Sequence, residues 1–223
     1  NSKQAPDLIM VYFEEPDHSG HNFGPQDVHT KNALRDMDGM LQDLWDNVQN
    51  GPRKDSVNMI VVSDHGMTLV SPERKIECRK YLKPYWFDRI EGNLPAQIYC
   101  KKQYIDSVYN ALKDIPHQRV WRRNEIPAYL HYDSNKNIGD VVVSPDEGWL
   151  VYDQKVTTGG MHGYDPEYSD MHALFRAMGP DFKKTEIPHF RNVDVYDLLC
   201  KLLNITPAKN DGNLEEIKSI LKN

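Results

Sequence analysis

The chain has 223 residues, with 33 acidic against 27 basic side chains and a formal net charge of −6. This length suits one large domain, and an acidic chain is a poor candidate for binding a nucleic-acid backbone, which requires a basic surface. The sequence has no apolar run near the ~18 residues of a membrane span, and its three cysteines are too few for a disulfide scaffold.

The first predicted element is a strand over residues 8–13, where the side chains are apolar on both faces. A strand of this kind belongs in the middle of a parallel sheet. Domains rarely open with a central strand. We therefore expect that the N-terminal part of the domain, upstream of Asn1, is missing from this chain.

A helix is predicted over residues 26–49, where apolar side chains recur at helical spacing until Asn50-Gly51-Pro52 ends the pattern. A second buried strand is predicted over residues 57–63. The order strand, helix, strand indicates a βαβ crossover, which implies parallel pairing of the two strands.

The chain between residues 68 and 160 is less regular. It predicts a helix around 108–112 and short strands at 97–99, 140–144 and 149–152. After it come a strand-like segment at 172–178, a helix at 193–203 and a short amphipathic helix at 214–221. The predicted fold class is α/β, a mostly parallel sheet flanked by helices. We expect a single incomplete domain over residues 1–223, with 68–160 as a small, cap-like α+β insertion.

Three short segments hold most of the reactive side chains. They span residues 14–21, 63–67 and 161–165, and the first two follow directly on predicted strands. In parallel α/β sheets, ligands bind at the carboxyl ends of the strands. The first two segments are therefore expected at the binding edge of the sheet.

These segments contain a set of residues that suits a metal ion. Asp17 and His21 are four apart and share one face of a helical turn, Asp64 and His65 are adjacent, and His162 precedes a glycine. Carboxylate oxygen with imidazole nitrogen suits zinc or a similar cation. Any single pair also occurs by chance, and Asp17 or Asp64 could instead cap a following helix. The coincidence of three such clusters favours metal.

Other polar residues have weaker claims to function. Glu14 and Glu15 are candidates for orienting metal ligands, although solvation of a strand end explains them as well. Cys78 and Cys100 form either a pair or two free thiols. Asn204 opens a glycosylation sequon, which matters only in a secreted protein. No metal-binding role is predicted for the remaining histidines, His18, His29, His117, His131, His172 and His189.

Together the three segments resemble the nucleotide pyrophosphatase/phosphodiesterase family of the alkaline phosphatase superfamily. The matching runs are Glu-Glu-Pro-Asp-x-Ser-Gly-His at 14–21, Ser-Asp-His-Gly-Met at 63–67 and His-Gly-Tyr-Asp at 162–165. The tail at 193–207 is also similar. The resemblance spans nearly the whole chain, in order, and it implies an alkaline-phosphatase-like fold.

The resemblance also implies a site with two Zn²⁺ or similar divalent cations. Asp17, His21 and His162 match the ligands of one ion, and Asp64 and His65 match two ligands of the other. The family's remaining ligand, an aspartate, and its nucleophilic threonine or serine come from upstream of the first motif. No catalytic nucleophile is therefore expected in this chain, and the chain alone is expected to be inactive.

The implied activity is hydrolysis of phosphodiester or pyrophosphate bonds by in-line displacement, through a covalent phospho-enzyme. The expected substrates are small molecules, either nucleotides or choline-phosphate-type diesters, with no surface for nucleic acid. The implied location is extracellular or lumenal, with a possible membrane anchor outside this chain. Two alternatives remain: a catalytically dead, metal-stabilised binding or adhesion module, and a sulfatase or phosphomonoesterase of the same superfamily.

Overall fold

A computed structural model describes residues 6–132, 135–152 and 158–222. The helices in this part of the chain are α1 (Asp17–Phe23), α2 (Val28–Gln49), α3 (Ile105–Leu112) and α4 (Asp194–Leu202). The strands are β1 (Met59–Val62), β2 (Thr68–Val70), β3 (Lys75–Ile76), β4 (Phe87–Glu91), β5 (Ala96–Cys100), β6 (Gln118–Arg122), β7 (Val141–Pro145), β8 (Leu150–Val151), β9 (Gly159–Met161) and β10 (Phe175–Met178). The predicted helix at 26–49 and the predicted strand at 57–63 are confirmed as α2 and β1.

The first of two compact units contains the described residues of 1–14, 35–64 and 173–223. In it β1 pairs antiparallel with β10, from Met59 opposite Met178 to Val62 opposite Phe175. The C-terminal segment supplies the core of this unit, made of four buried apolar side chains, Phe182, Leu198, Ile217 and Ile220. The predicted helix at 193–203 is confirmed as α4.

The amphipathic segment at 214–221 differs from its prediction. It forms two short 3₁₀ turns, Leu214–Glu216 and Lys218–Ile220, instead of one helix. Ile217 lies between them with a φ of −123°, which is outside the helical region. Its side chain is nevertheless fully buried, so burial of the apolar residues is kept while the helical geometry is lost.

The prediction of a central strand over residues 8–13 is wrong. No strand is assigned to these residues, and the side chains of Met10 and Tyr12 are 84% and 82% exposed. A strand requires a hydrogen-bonded neighbour, and within the described chain β1 pairs with β10 alone. The mostly parallel pairing is not found either, because β3 with β8 is the one parallel pair among the described strands.

The second unit contains the described residues of 15–34 and 65–172. Its main sheet is antiparallel, with the strand order β4-β5-β7-β6. Helix α3 packs on this sheet through Val108 and Leu112, which are four residues apart, lie on one face and are fully buried. The predicted short strands at 97–99, 140–144 and 149–152 are confirmed as β5, β7 and β8. The insertion boundaries at 68 and 160 stay a prediction.

A short ladder in this unit positions the polar segments. Strand β2 pairs antiparallel with β9, and Thr68 lies opposite Met161. The residues before β2 and the residue after β9 therefore leave the ladder at the same end. This arrangement brings His65 and His162 into one region although they are far apart in sequence.

No disulfide joins any of the three cysteines, Cys78, Cys100 and Cys200. This resolves the alternative left open for Cys78 and Cys100 in favour of separate thiols. Burial raises the pKa of Cys100 to about 12, and the nearby charges of Asp140 and Asp88 add to the effect. Among the described helices, none has both the length and the apolar character needed to cross a membrane.

Candidate metal centre

Three of the predicted ligands meet at one point. Helix α1 carries Asp17 and His21 one turn apart, and Nε2 of His21 lies 3.4 Å from Oδ1 of Asp17. His162, directly after β9, places its Nε2 3.2 Å from Nε2 of His21 and 3.7 Å from Oδ1 of Asp17. These three polar atoms therefore surround a common centre.

His65 lies beside this group. Its ring stacks on that of His162, with centroids 3.4 Å apart and an interplanar angle of 11°. Its Nε2 is 3.9 Å from Oδ1 of Asp17, and Asp17, His65 and His162 each offer a ligand atom within 4.8 Å of the others. Asp64 is exposed and belongs to the first unit, so its role as a ligand stays a prediction.

The distances fit a zinc ion. In a tetrahedral site with bonds of about 2.0–2.2 Å, neighbouring ligand atoms are about 3.3–3.6 Å apart. The separations of 3.2, 3.4 and 3.7 Å among Asp17, His21 and His162 lie around this value. Oδ1 of Asp17 is buried and has no hydrogen-bond partner among the described residues. A buried carboxylate oxygen without a partner is costly, and a cation at the centre would satisfy it.

Two of the histidines are held in the tautomer that a metal requires. Nδ1 of His21 lies 2.8 Å from the carbonyl oxygen of Gly160, and Nδ1 of His65 lies 2.8 Å from that of Gly66. A carbonyl oxygen only accepts, so each Nδ1 carries the proton and donates it. Nε2 of each neutral ring then keeps its lone pair for a cation, as is usual for metal-binding histidines.

Small residues let α1 approach β9 closely. A Cβ on Gly160 would come within 2.3 Å of Sδ of Met67 and 2.5 Å of the Gly20 carbonyl oxygen, and one on Gly159 within 2.2 Å of the His21 carbonyl oxygen. This contact allows His21 to reach the carbonyl of Gly160. This close approach of α1 to β9 was not predicted from the sequence, although the Gly159-Gly160 pair shortly before His162 was a signal for it.

A buried carboxylate anchors the turn that follows His162. The side chain of Asp165 is 2% exposed and accepts hydrogen bonds from the Tyr129 hydroxyl at 2.5 Å and the Glu167 backbone amide at 3.0 Å, with Nη1 of Arg119 at 2.9 Å. Burial alone would raise the pKa of Asp165. The hydrogen bonds from Tyr129 and Glu167 and the charge of Arg119 outweigh that effect, so the pKa lies below its usual value.

Replacing this carboxylate should destabilise the fold. Asp165→Asn is expected to lower the free energy of unfolding by about 2 kcal/mol, less than for a fully buried ion pair because Arg119 retains contact with water. The depressed pKa means that the charged form stabilises the native state at neutral pH. This contribution should disappear as the pH falls through the folded-state pKa, and the variant should lack that part of the pH dependence.

Urea unfolding followed at several pH values measures both effects. Asp106→Asn is the matched control, because the Asp106 side chain is 77% exposed in its pair with Arg122 and surface pairs contribute about 1 kcal/mol or less. Equal stability of Asp165→Asn and the unsubstituted chain at pH 7 would contradict the anchoring role.

Asp17 and Asp64 do not act as helix caps, which was the alternative to metal binding for both. Asp17 is the first residue of α1, and the cap position is Pro16, which makes no side-chain hydrogen bond. The described residues after Asp64 lead into strand β2. Elsewhere in the second unit, His18 contacts Asn22 and His29 contacts Asp27; the absence of a metal-binding role for these two histidines stays a prediction.

Comparisons with known proteins agree with the sequence motifs. Residues 1–165 match the family described as "Type I phosphodiesterase / nucleotide pyrophosphatase". The chain is 35% identical over 224 residues to human ectonucleotide pyrophosphatase/phosphodiesterase family member 5, covering 99% of the chain and 47% of that protein. It is 34% identical over 220 residues to a bis(5′-adenosyl)-triphosphatase of Xenopus laevis, covering 97% and 48%. The chain thus spans about half the length of these curated relatives.

Solved structures give the same result. Human ectonucleotide pyrophosphatase/phosphodiesterase 5 superposes with a TM-score of 0.88 at 33% identity, covering 96% of this chain and 58% of that one. An inactive threonine-to-alanine variant of the murine protein, in complex with AMP, gives a TM-score of 0.87 at 35% identity, covering 95% and 58%. The likeness therefore extends over nearly the whole chain.

Proposed function

Because the chain belongs to the type I phosphodiesterase / nucleotide pyrophosphatase family, we propose that it is the metal-binding part of a hydrolase that cleaves phosphodiester or pyrophosphate bonds. Its α/β fold is alkaline-phosphatase-like, as the family resemblance implies. The observation that carries the proposal is the convergence of Asp17, His21 and His162 at separations of 3.2–3.7 Å. Such an arrangement suits a divalent cation.

Two neighbouring cation sites explain the arrangement of the side chains. Asp17, His21 and His162 would hold one zinc ion, and His65 would contribute to a second, with Asp64 as its predicted partner. Nε2 of His65 lies 3.9 Å from Oδ1 of Asp17, so an ion held by His65 would be a neighbour of the first ion, and paired ions in two-metal hydrolases are neighbours about 3.5–4 Å apart. When bound, such a pair neutralises phosphate charge and stabilises both the attacking and the leaving oxygen.

The residues of this chain orient the site and supply its charge. In the neutral rings of His21 and His65, the Gly160 and Gly66 carbonyls favour the tautomer with the proton on Nδ1, which leaves the lone pair of Nε2 for a cation, and Asp17 supplies one negative charge. The attacking hydroxyl, a threonine or serine, is expected outside this chain. It would displace the leaving group in line and carry the phosphoryl group until water removes it.

Nucleotides are the substrate class we favour over choline-phosphate-type diesters. One relative is named as a bis(5′-adenosyl)-triphosphatase, and another was solved with AMP. An extracellular or lumenal location accords with relatives named as ectonucleotide enzymes and as venom phosphodiesterases. Asn204 of the sequon is exposed, which is compatible with glycosylation in that compartment.

The proposal predicts zinc binding without turnover for this chain. Calorimetric titration is expected to show one tighter site, with three protein ligands, and a weaker one. Hydrolysis of bis(p-nitrophenyl) phosphate by the zinc-loaded chain should not exceed that of its His21→Ala variant. Absence of zinc binding would overturn the metal centre, and robust hydrolysis abolished by His21→Ala would overturn the external nucleophile.

A chimera distinguishes the proposed hydrolase from the alternative, a catalytically dead binding module. The segment that precedes the matched region in the human relative is fused to Asn1, and zinc affinity and hydrolysis are then measured together. We expect hydrolysis of the chromogenic diester, lost again on His21→Ala. A chimera that binds zinc as tightly as the chain but hydrolyses nothing would favour the binding module instead.

A further inference from the structure

Glu15 makes two contacts with helix α1 that the proposed chemistry does not use. Its Oε2 accepts a hydrogen bond from the backbone amide of Ser19 at 3.1 Å, and its Oε1 accepts one from the Ser19 hydroxyl at 3.0 Å. Ser19 is 9% exposed and lies in the helix between the two ligands Asp17 and His21. Both carboxylate oxygens of Glu15 are therefore bound to the first turn of this helix.

Helix α1 needs this support more than most helices. It has seven residues, and its cap position is Pro16, which makes no side-chain hydrogen bond. An isolated helix of this length is unstable in water, and the first backbone amides of any helix lack partners within it. A carboxylate that accepts from such an amide satisfies the donor and also interacts favourably with the helix dipole.

The geometry points to Glu15 as a positioning residue for the metal centre. By holding Ser19 it fixes the first turn of α1, so Asp17 and His21 face the centre before a cation binds. It acts through Ser19 and does not touch the ion. This inference rests on the proposed function, since it deepens the assignment of that site. It also decides against strand-end solvation as the role of Glu15.

Cobalt(II) titration of the full chain tests this role, because the visible absorption of cobalt reports its coordination geometry. Glu15→Gln keeps the shape of the side chain but removes its charge and one acceptor. It should weaken Co²⁺ binding about 10–100-fold, as loss of supporting hydrogen bonds does at other metal sites, and should change the visible spectrum. Glu125→Gln, on a side chain that pairs with Arg122 in the same unit, should bind like the unsubstituted chain.

Substitutions of Ser19 distinguish a positioning role of Glu15 from a general loss of stability of the protein. Ser19→Thr retains both contacts and should keep the original affinity and spectrum. Ser19→Ala loses the hydroxyl but retains the amide, so its loss of affinity should be smaller than that of Glu15→Gln.

Amide hydrogen exchange in the metal-free protein gives a readout that does not need the cation. Glu15→Gln should make the Ser19 amide exchange faster. Unchanged cobalt affinity, spectrum and Ser19 exchange in Glu15→Gln would overturn the inference. Failure of the unsubstituted chain to bind cobalt would instead count against the metal centre, and Ser19 exchange would still decide whether Glu15 fixes α1.

Discussion

His21→Ala is expected to weaken zinc binding by about 100-fold or more, because even residues that only support metal ligands cost 10–100-fold when replaced. His21 is central to the cluster. Its Nε2 is 3.4 Å from Oδ1 of Asp17 and 3.2 Å from Nε2 of His162. Without this imidazole the remaining groups offer a tetrahedral ion one protein ligand fewer. Competition against a chelator of known zinc affinity measures the change.

His18→Ala is the matched control for this substitution. His18 lies on the same helix and is exposed, and its ring contacts Asn22. The control should bind zinc as the unsubstituted chain does. Equal affinities of His21→Ala and His18→Ala would show that the cluster is not a zinc site.

Gly160→Ala is expected to destabilise the chain and to weaken zinc binding at the same time. The added Cβ would lie 2.5 Å from the carbonyl oxygen of Gly20, so α1 and β9 must separate. Overpacking of this kind costs about 1–3 kcal/mol, and we expect zinc affinity to fall by about 10–100-fold as His21 loses its hydrogen bond to residue 160. Thermal unfolding and zinc titration measure the two effects.

Gly39→Ala is the control, since a Cβ at this position in α2 would meet nothing within 4 Å. Alanine is preferred over glycine inside a helix, so this variant should be more stable by about 0.5–1 kcal/mol. Adding Met67→Ala to Gly160→Ala should restore only part of the loss, because the clash with the Gly20 backbone remains. A Gly160→Ala variant with unchanged stability and affinity would contradict close packing of α1 on β9.

The sequence could predict the parts of the site that depend on local spacing. The four-residue interval between Asp17 and His21 predicted a shared helical face, and both residues lie in α1. The proximity of His65 and His162 depends on the pairing of β2 with β9, and only the family resemblance linked His162 to the pair on α1. Their separation in sequence hides that contact from any local pattern.

Other features depend on contacts that no local pattern encodes. Asp165 is held by Arg119 and Tyr129, which are both more than 30 residues away in sequence. The strand predicted at 8–13 failed for a related reason, since apolar residues favour a strand only where another strand offers hydrogen bonds. Glu15 was recognised as a candidate, but its partner Ser19 was not.

Anomalous diffraction at the zinc absorption edge, from crystals of the chain grown with zinc, tests the central claim most directly. The account predicts a peak about 2.0–2.2 Å from Oδ1 of Asp17 and from Nε2 of both His21 and His162. A zinc-saturated crystal with no peak among these three atoms, or with zinc bound only elsewhere, would contradict it.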